Sequence, residues 1–434
     1  MYRVAIENLR EWKGSKDRKP LVLRGARQVG KTWLLNEFGK EYSNVAYVNM
    51  DRNTAMENLF SIDMDVKRII RGLEAYLDTD ILPGETLIVF DEVQENPNAL
   101  ASLKYFQENA PEYHVAVAGS LLGVALHKDT SFPVGKVNFL DILPMNFYEF
   151  RMAMGKGSLA TLINNGKYED IAPFHENIMD FFRQYLIVGG MPEAVRKYAE
   201  NGTLGEVREI QNDILSAYEN DVSKHAPVNA VNKIREILNI LPSQLAKENK
   251  KFIFKMLREG ARAKDYGDAL MWLTDAGIVS RVQKVESIKT PLKYYESQDA
   301  FKLYMLDMGL LSAMIGLRPA VIIENENVLM EYKGALMEQS VYQELKASGL
   351  TPYYYRNESA RVELDFLLDA DYGVLPIEVK SGANFEAKSF DKTMKKIEME
   401  RGIKISTLPA VRNENIVNLP VYLSNRVAGE LTNE

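Results

Sequence analysis

Eight residues, Gly25, Ala26, Arg27, Gln28, Val29, Gly30, Lys31 and Thr32, constrain this chain more than any other segment. They follow the apolar run Pro20–Arg24, which reads as a strand, and lead into Trp33–Phe38, which has helical character. Strand, G-x-x-x-x-G-K-T and helix, in that order, make a P-loop. Its glycines let the backbone wrap closely, so that N–H groups converge on phosphate, and the helix adds its positive end. All eight residues are therefore expected to line a nucleotide, with Lys31 reaching the β- and γ-phosphates and the Thr32 hydroxyl ligating Mg²⁺.

The loop requires a parallel sheet around it, and the sequence supplies candidates. Thr86–Phe90 is a continuous apolar run, the signature of a strand buried on both faces, and it delivers Asp91 and Glu92 to its carboxyl end. There Asp91 is expected in the Mg²⁺ shell and Glu92 as the group that polarises the attacking water. Paired acids after a strand also occur in plain turns; the P-loop is what favours the functional reading. Val115–Ala118 reads as a neighbouring strand ending at Gly119 and Ser120, where Ser120 would sense the γ-phosphate or simply close a tight turn. Val45–Asn49 and Val137–Asp141 complete a sheet with helices on both faces.

A chain of 434 residues exceeds one core, so two or three domains are expected. It contains no cysteine, which excludes disulfides, thiolate metal sites and a cysteine nucleophile. With no apolar stretch near the ~20 residues of a membrane span and a charged N-terminal segment unlike a signal peptide, a cytoplasmic protein without a membrane partner is expected. Net charge is −7, yet Asn229–Tyr294 holds thirteen Lys/Arg against seven Asp/Glu, leaving −13 on the remainder. That basic stretch is either a contact for DNA phosphate or a solvated charged face.

In order, GARQVGKT, LIVFDEVQ, VAVAGSLL, FLDILPMNFYEF and YLIVGGMPEAV resemble the successive blocks of a prokaryotic AAA-type ATPase family that carries a C-terminal domain of unknown function. The resemblance continues through FKLYMLDMGLL, GALMEQSVYQEL, VELDFLLD and LPIEVKSG, nearly the length of the chain. It implies an Mg-dependent ATPase and a homo-oligomer whose sites are completed between subunits. In FPVGKV, Lys136 stands where relatives tend to carry arginine, which the resemblance implies as a finger on a neighbouring subunit's nucleotide; lysine keeps the charge without the planar fork, and Arg151 and Arg27 are alternative cations for that finger.

Gly189–Pro192 breaks the pattern and suggests a boundary. After a helical pattern that includes Ile210–Asp221, three short amphipathic segments, Val231–Leu241, Phe252–Glu259 and Asp265–Ala276, lead into a strand at Ile278–Val282; three helices followed by strands resemble a winged helix. Arg262, Lys264, Tyr266 and Asp268 are its candidate DNA readers, unless the module binds protein instead.

Val362–Leu368 and Val374–Lys380 read as a hairpin, preceded by a helix over Gly334–Ala347. Glu378 and Lys380 lie two apart and leave one face. This order resembles the restriction-endonuclease, or PD-(D/E)xK, fold. The resemblance implies a catalytic set of Glu338, Asp365, Glu378 and Lys380, with Asp365 and Glu378 gripping Mg²⁺ or Mn²⁺ and Lys380 placing water. A salt-bridged strand face is the plainer alternative.

The fold class expected is therefore α/β: a P-loop ATPase domain over residues 1–190, a helical and winged-helix-like domain over 191–300, and a nuclease-like domain over 301–434. Two functions compete. One is an ATPase coupled to a DNA-directed, metal-dependent nuclease-like module. The other is a nucleotide-switched binding or scaffold protein whose C-terminal domain is inert. A phosphotransferase is a weaker third reading, since no acceptor site for a small molecule is apparent.

Overall fold

The computed structural model describes residues 1–120, 122–125, 135–246, 251–316, 326–357, 359, 362–380, 387–413 and 415–432. The chain divides into two compact units, one of residues 2–143 with 275–278, the other of residues 144–274 and 279–434 with Met1.

The first unit is a five-stranded parallel sheet: β1 (Leu21–Arg24), β2 (Asn44–Asn49), β3 (Thr86–Asp91), β4 (His114–Ala118) and β5 (Asn138–Asp141), in the order β2-β3-β4-β1-β5. Every residue of β3 is buried, as its unbroken apolar run demands. Its flanking helices are specified locally. Val66–Leu77 buries Val66, Ile69, Ile70 and Leu73, the i, i+3, i+4, i+7 stripe of an amphipathic helix, and Asp65 caps it by accepting from the N–H groups of Lys67 and Arg68. Pro97–Asn109 starts with Asn96 as cap and proline in its first turn. The two helices pack Ile69, Leu73, Leu103 and Phe106 onto Val48, Ile88 and Phe90 of the sheet. Each such side chain, fully buried, stabilises by roughly 1.5–3 kcal/mol.

The second unit contains an eight-stranded mixed sheet. Its strands are β6 (Val279–Val285), β7 (Glu296–Met305), β8 (Tyr353–Asn357), β9 (Val362–Ala370), β10 (Gly373–Val379), β11 (Gly402–Ser406), β12 (Val411–Arg412) and β13 (Ile416–Pro420), in the order β12-β13-β11-β10-β9-β8-β6-β7. The expected hairpin is present, with β9 and β10 antiparallel and turning at Asp371–Tyr372.

Two expectations about the middle of the chain need correction. The strand after the helix Gly267–Asp275 is β6, and its antiparallel partner β7 and parallel neighbour β8 make it part of the C-terminal sheet. A boundary at 300/301 therefore falls inside β7. The segment Phe252–Glu259 forms only a short 3₁₀ turn at Phe254–Met256. Its backbone is captured by tertiary bonds: the Phe252 N–H donates to the Phe301 carbonyl (2.9 Å), and Gln244 exchanges two bonds with Ile253 (2.9 and 3.2 Å). Likewise Gly189 and Gly190 lie inside the second unit. The Gly190 N–H donates to Asp307 Oδ2 (2.6 Å), and a Cβ on Gly190 would meet the Met145 carbonyl oxygen at 2.0 Å. The glycines serve close packing at that point. Among the described residues, no helix is long and apolar enough to cross a membrane.

Candidate active site and a second acidic cluster

β1 pairs with β5 through Arg24 and Asp141, and the Ile142 N–H donates to the Arg24 carbonyl (2.7 Å). Immediately after, Gly25 takes φ +148°, where a Cβ would lie 2.2 Å from the Ile142 carbonyl oxygen, so no other residue fits. Gly30, at φ +93°, opens the helix Lys31–Gly39. Arg3 fastens the outside of the loop, donating to the carbonyls of Val29 (2.9 Å) and Leu143 (2.6 Å). Nothing in the local sequence around Arg3 announces that role.

Lys31 is buried, and its ammonium donates to the carbonyls of Gly25 (2.9 Å) and Ala26 (2.8 Å). Burial pushes its pKa down to about 8, against the opposing pull of Glu92 and Asp91. The loop thus holds a lysine by carbonyl dipoles that a triphosphate's oxygens would outcompete, being anionic.

β3 and β1, separated in the sheet only by β4, carry Asp91 and the loop to one edge. There the Thr32 hydroxyl donates to Asp91 Oδ2 (2.7 Å). The Tyr47 hydroxyl donates to the same oxygen (2.8 Å), and the Glu92 N–H donates to Oδ1 (3.0 Å). A hydroxyl and a carboxylate in contact beneath a phosphate-binding loop fit Mg²⁺, which takes oxygen ligands and keeps several waters. Tyr47 was not anticipated. Its signal was alternation, since Tyr47 sits two residues from Asn49, the register partner of Asp91.

Glu92 sits at φ +49°, uncommon for a side-chain-bearing residue. Its Oε2 accepts from Gln94 Nε2 (2.7 Å) and from the Ser120 hydroxyl (3.2 Å). Ser120 thus lies against the glutamate. Of the three candidate cations, Lys136 is half exposed and ion-paired with Glu108 (2.9 Å). Residues 132–134 of its motif lie outside the described residues. Arg27 is exposed on the loop. Arg151 is fully buried, its guanidinium 3.8 Å from the centre of the Phe181 ring, and burial lowers its pKa to about 10. A side chain so enclosed is not presented to a second chain.

In the second unit, Glu338 projects from the helix Glu326–Ala347, Asp365 from β9 and Glu378 from β10. The β9–β10 register runs to Ile377 opposite Phe366, which sets Glu378 across from Asp365. The Val379 N–H donates to Asp365 Oδ2 (2.8 Å), and Lys380 ion-pairs with Glu378. Burial, and then Asp365, push the Glu378 carboxyl up to about 7, against the pull of Lys380.

Two further residues enter this cluster. Lys302 of β7, fully buried, places its ammonium 2.9 Å from Glu338 Oε1 and 3.8 Å from Asp365 Oδ1. The Tyr304 hydroxyl also donates to Glu338. Burial works against the Lys302 charge, but Glu338 and Asp365 outweigh it and its pKa stands above the usual value. Of the candidate DNA readers, Arg262, Lys264 and Asp268 are exposed, whereas Tyr266 is buried and bonded to Glu236.

Residues 17–151 match the family described as AAA domain. Residues 179–321 and 333–422 match two families described as Domain of unknown function (DUF8612) and Domain of unknown function (DUF4143). No curated protein matches the chain. A Walker-type ATPase of Pyrococcus abyssi aligns at 16% identity over 71% of this chain and 95% of its own, with a TM-score of 0.44. Cdc6p from Pyrobaculum aerophilum aligns at 14% identity over 74% and 93%, with a TM-score of 0.25. The Orc1 protein of Aeropyrum pernix, solved in complex with DNA, aligns at 15% over 72% and 90%, with a TM-score of 0.26. The strand order, the loop and the AAA match together give the N-terminal unit the P-loop ATPase fold of AAA type.

Proposed function

We propose that this chain is an Mg-dependent ATPase whose nucleotide state governs what its C-terminal unit binds. One observation carries the reading: the Thr32 hydroxyl and the Asp91 carboxylate, 59 residues apart in sequence, meet at 2.7 Å beneath the phosphate-binding loop. In this scheme the loop N–H groups and Lys31 bind the triphosphate, and Thr32 and Asp91 hold Mg²⁺. The ion supplies neutralisation of the phosphate charge. Glu92 takes the proton from the attacking water, and Gln94 and Ser120 fix the orientation of its carboxylate.

Phosphate release measured on the full chain tests this. Lys31→Ala is expected to lose tight ATP binding. Glu92→Gln should bind ATP as the parent does and turn over ~10²–10⁴ times more slowly, the usual loss for one positioned proton-transfer group. Undiminished turnover in Glu92→Gln rejects the assignment of the base.

For the C-terminal unit, coupling to DNA through a metal-dependent nuclease-like site draws support from Asp365 facing Glu378 and from Lys380 beside it. The alternative, a nucleotide-switched binding or scaffold module, draws support from Lys302, and we favour it on that ground. DNA as the partner, a homo-oligomeric ATPase and a cytoplasmic setting remain part of the proposal. Loss of filter-retained DNA in Arg262→Glu/Lys264→Glu, with ATP binding intact, is the result expected if the exposed basic turn meets phosphate.

A further inference from the structure

The C-terminal acids resemble a metal-dependent set, and their surroundings do not fit a metal. Every anionic group of the set is already engaged. Glu338 Oε1 receives both the Lys302 ammonium (2.9 Å) and the Tyr304 hydroxyl. Asp365 Oδ2 accepts from the Val379 N–H (2.8 Å), while Oδ1 faces Lys302 at 3.8 Å. Glu378 is paired with Lys380. Among the described residues, no group of three or more His, Cys, Asp or Glu side chains is arranged to hold a metal ion.

The lysine is not an incidental neighbour. Ala300–Met305 of β7 is buried along its whole length, and Lys302 is its one charged member. A buried ammonium requires an anionic partner, and buried carboxylates require a cation. Each therefore fixes the other. The Tyr304 ring stacks on Tyr342 (4.5 Å between centres) and leans on Phe366, so the phenol that completes the Glu338 coordination is itself held in place. The ammonium also lies 5.0 Å from the centre of the Tyr354 ring, which gives it a further favourable contact in a dry setting. A divalent ion entering between Glu338 and Asp365 would have to displace this ammonium into an apolar interior.

We infer that Lys302 is the resident cation of the cluster: its ammonium neutralises Glu338 and Asp365 in the role a divalent metal plays in the fold they resemble, so that the site holds no catalytic metal. The C-terminal unit then owes its specificity to binding and not to phosphodiester cleavage. This does not depend on the ATPase reading.

The test is a Mn²⁺ titration followed by electron paramagnetic resonance on the full chain. It is run without nucleotide and in an Asp91→Asn background, to silence the nucleotide site. The background protein is expected to show no saturable Mn²⁺ that depends on Asp365. Lys302→Met in that background is expected to gain one Mn²⁺ per chain, lost again when Asp365→Asn is added. One Mn²⁺ per chain in the background protein, abolished by Asp365→Asn, overturns the inference. Because Lys302→Met leaves unpaired carboxylates in the interior, thermal melting is read alongside. The single variant should melt below its parent, and Lys302→Met/Glu338→Gln, which removes both partners, should recover much of the loss. A single variant that melts with the parent overturns the pairing.

Discussion

Lys31 stands in the P-loop at a cost to the stability of the nucleotide-free protein, and the size of that cost follows from its surroundings. Burial holds its pKa at about 8, against 10.5 for an unperturbed lysine. Below pH 8 the ammonium is protonated in folded and unfolded chains alike, and the folded state bears the full penalty. Between pH 8 and 10.5 the unfolded chain binds the extra proton, so stability rises with pH across that window. At 1.36 kcal/mol per unit, wild type gains about 2.5 kcal/mol from this one group between pH 7 and pH 10. Lys31→Met lacks the titrating group. It also loses two hydrogen bonds to the Gly25 and Ala26 carbonyls, but to first order that loss is the same at either pH. The assay is urea unfolding of the N-terminal unit in the intact chain, without nucleotide, at both pH values. The stability of wild type minus that of Lys31→Met should move in favour of wild type by about 2.5 kcal/mol from pH 7 to pH 10. Other titrations cancel in the difference. A difference that stays flat, or moves the other way, refutes the claim that Lys31 is desolvated before nucleotide arrives. The same group predicts that ATP affinity declines as pH rises above 8, approaching tenfold per unit, because Lys31 must take up a proton from solvent before its ammonium can pair with the phosphates.

Gly25→Ala should abolish ATP binding while leaving the C-terminal unit folded, since its Cβ would strike the Ile142 carbonyl oxygen at 2.2 Å; calorimetric titration of ATP checks it. Gly190→Ala should instead lower global stability by roughly 2 kcal/mol or more, through collision with the Met145 carbonyl oxygen, as read by denaturant midpoint. Glu344, fully buried and accepting from the Phe147 N–H (2.8 Å), has its carboxyl pushed by burial up to about 7. Its folded form therefore binds the proton more tightly than the unfolded chain, and stability falls as pH rises from about 4.5 to 7. Glu344→Gln should flatten that slope in melts taken across the window.

The candidate nucleotide site was legible because its chemistry is local. The P-loop is one contiguous octapeptide, and Asp91–Glu92 closes a strand whose burial is written in its own apolar run. The contact of Thr32 with Asp91 then follows from parallel topology alone. What the sequence concealed is what non-local geometry supplies. Arg3 reaches Val29 and Leu143 from a position with no motif around it. The division at Gly189–Gly190 looked like punctuation because glycine signals both a chain break and a close approach, and only the Met145 and Asp307 contacts distinguish them. Phe252–Glu259 had helical periodicity, and the bonds from Phe301 and Gln244 prevailed over it.

Lys302 is the most instructive case. In sequence it is a charge in the apolar run Ala300–Met305, readable as the exposed face of an edge strand, and β7 is indeed the last strand of its sheet. Three inter-strand steps separate β7 from β9, about 14 Å at ordinary strand spacing, well beyond the reach of a lysine across a flat sheet. Yet the Lys302 ammonium lies 3.8 Å from Asp365. Both side chains contribute to the span, and the two register shifts, at Gln283/Val285 and at Tyr353/Tyr355, lie in the intervening ladders, where irregularities add twist and bring the strands' faces together. Asp365 and Glu378 are set opposite each other by one hairpin, and Lys380 follows on the same strand end, so their spacing is visible in sequence whatever their chemistry. The residue that decides between a metal and an internal cation arrives from a strand three places away, which no spacing rule encodes. For this reason the acids alone argue for a nuclease, and the acids with Lys302 argue for a binding module.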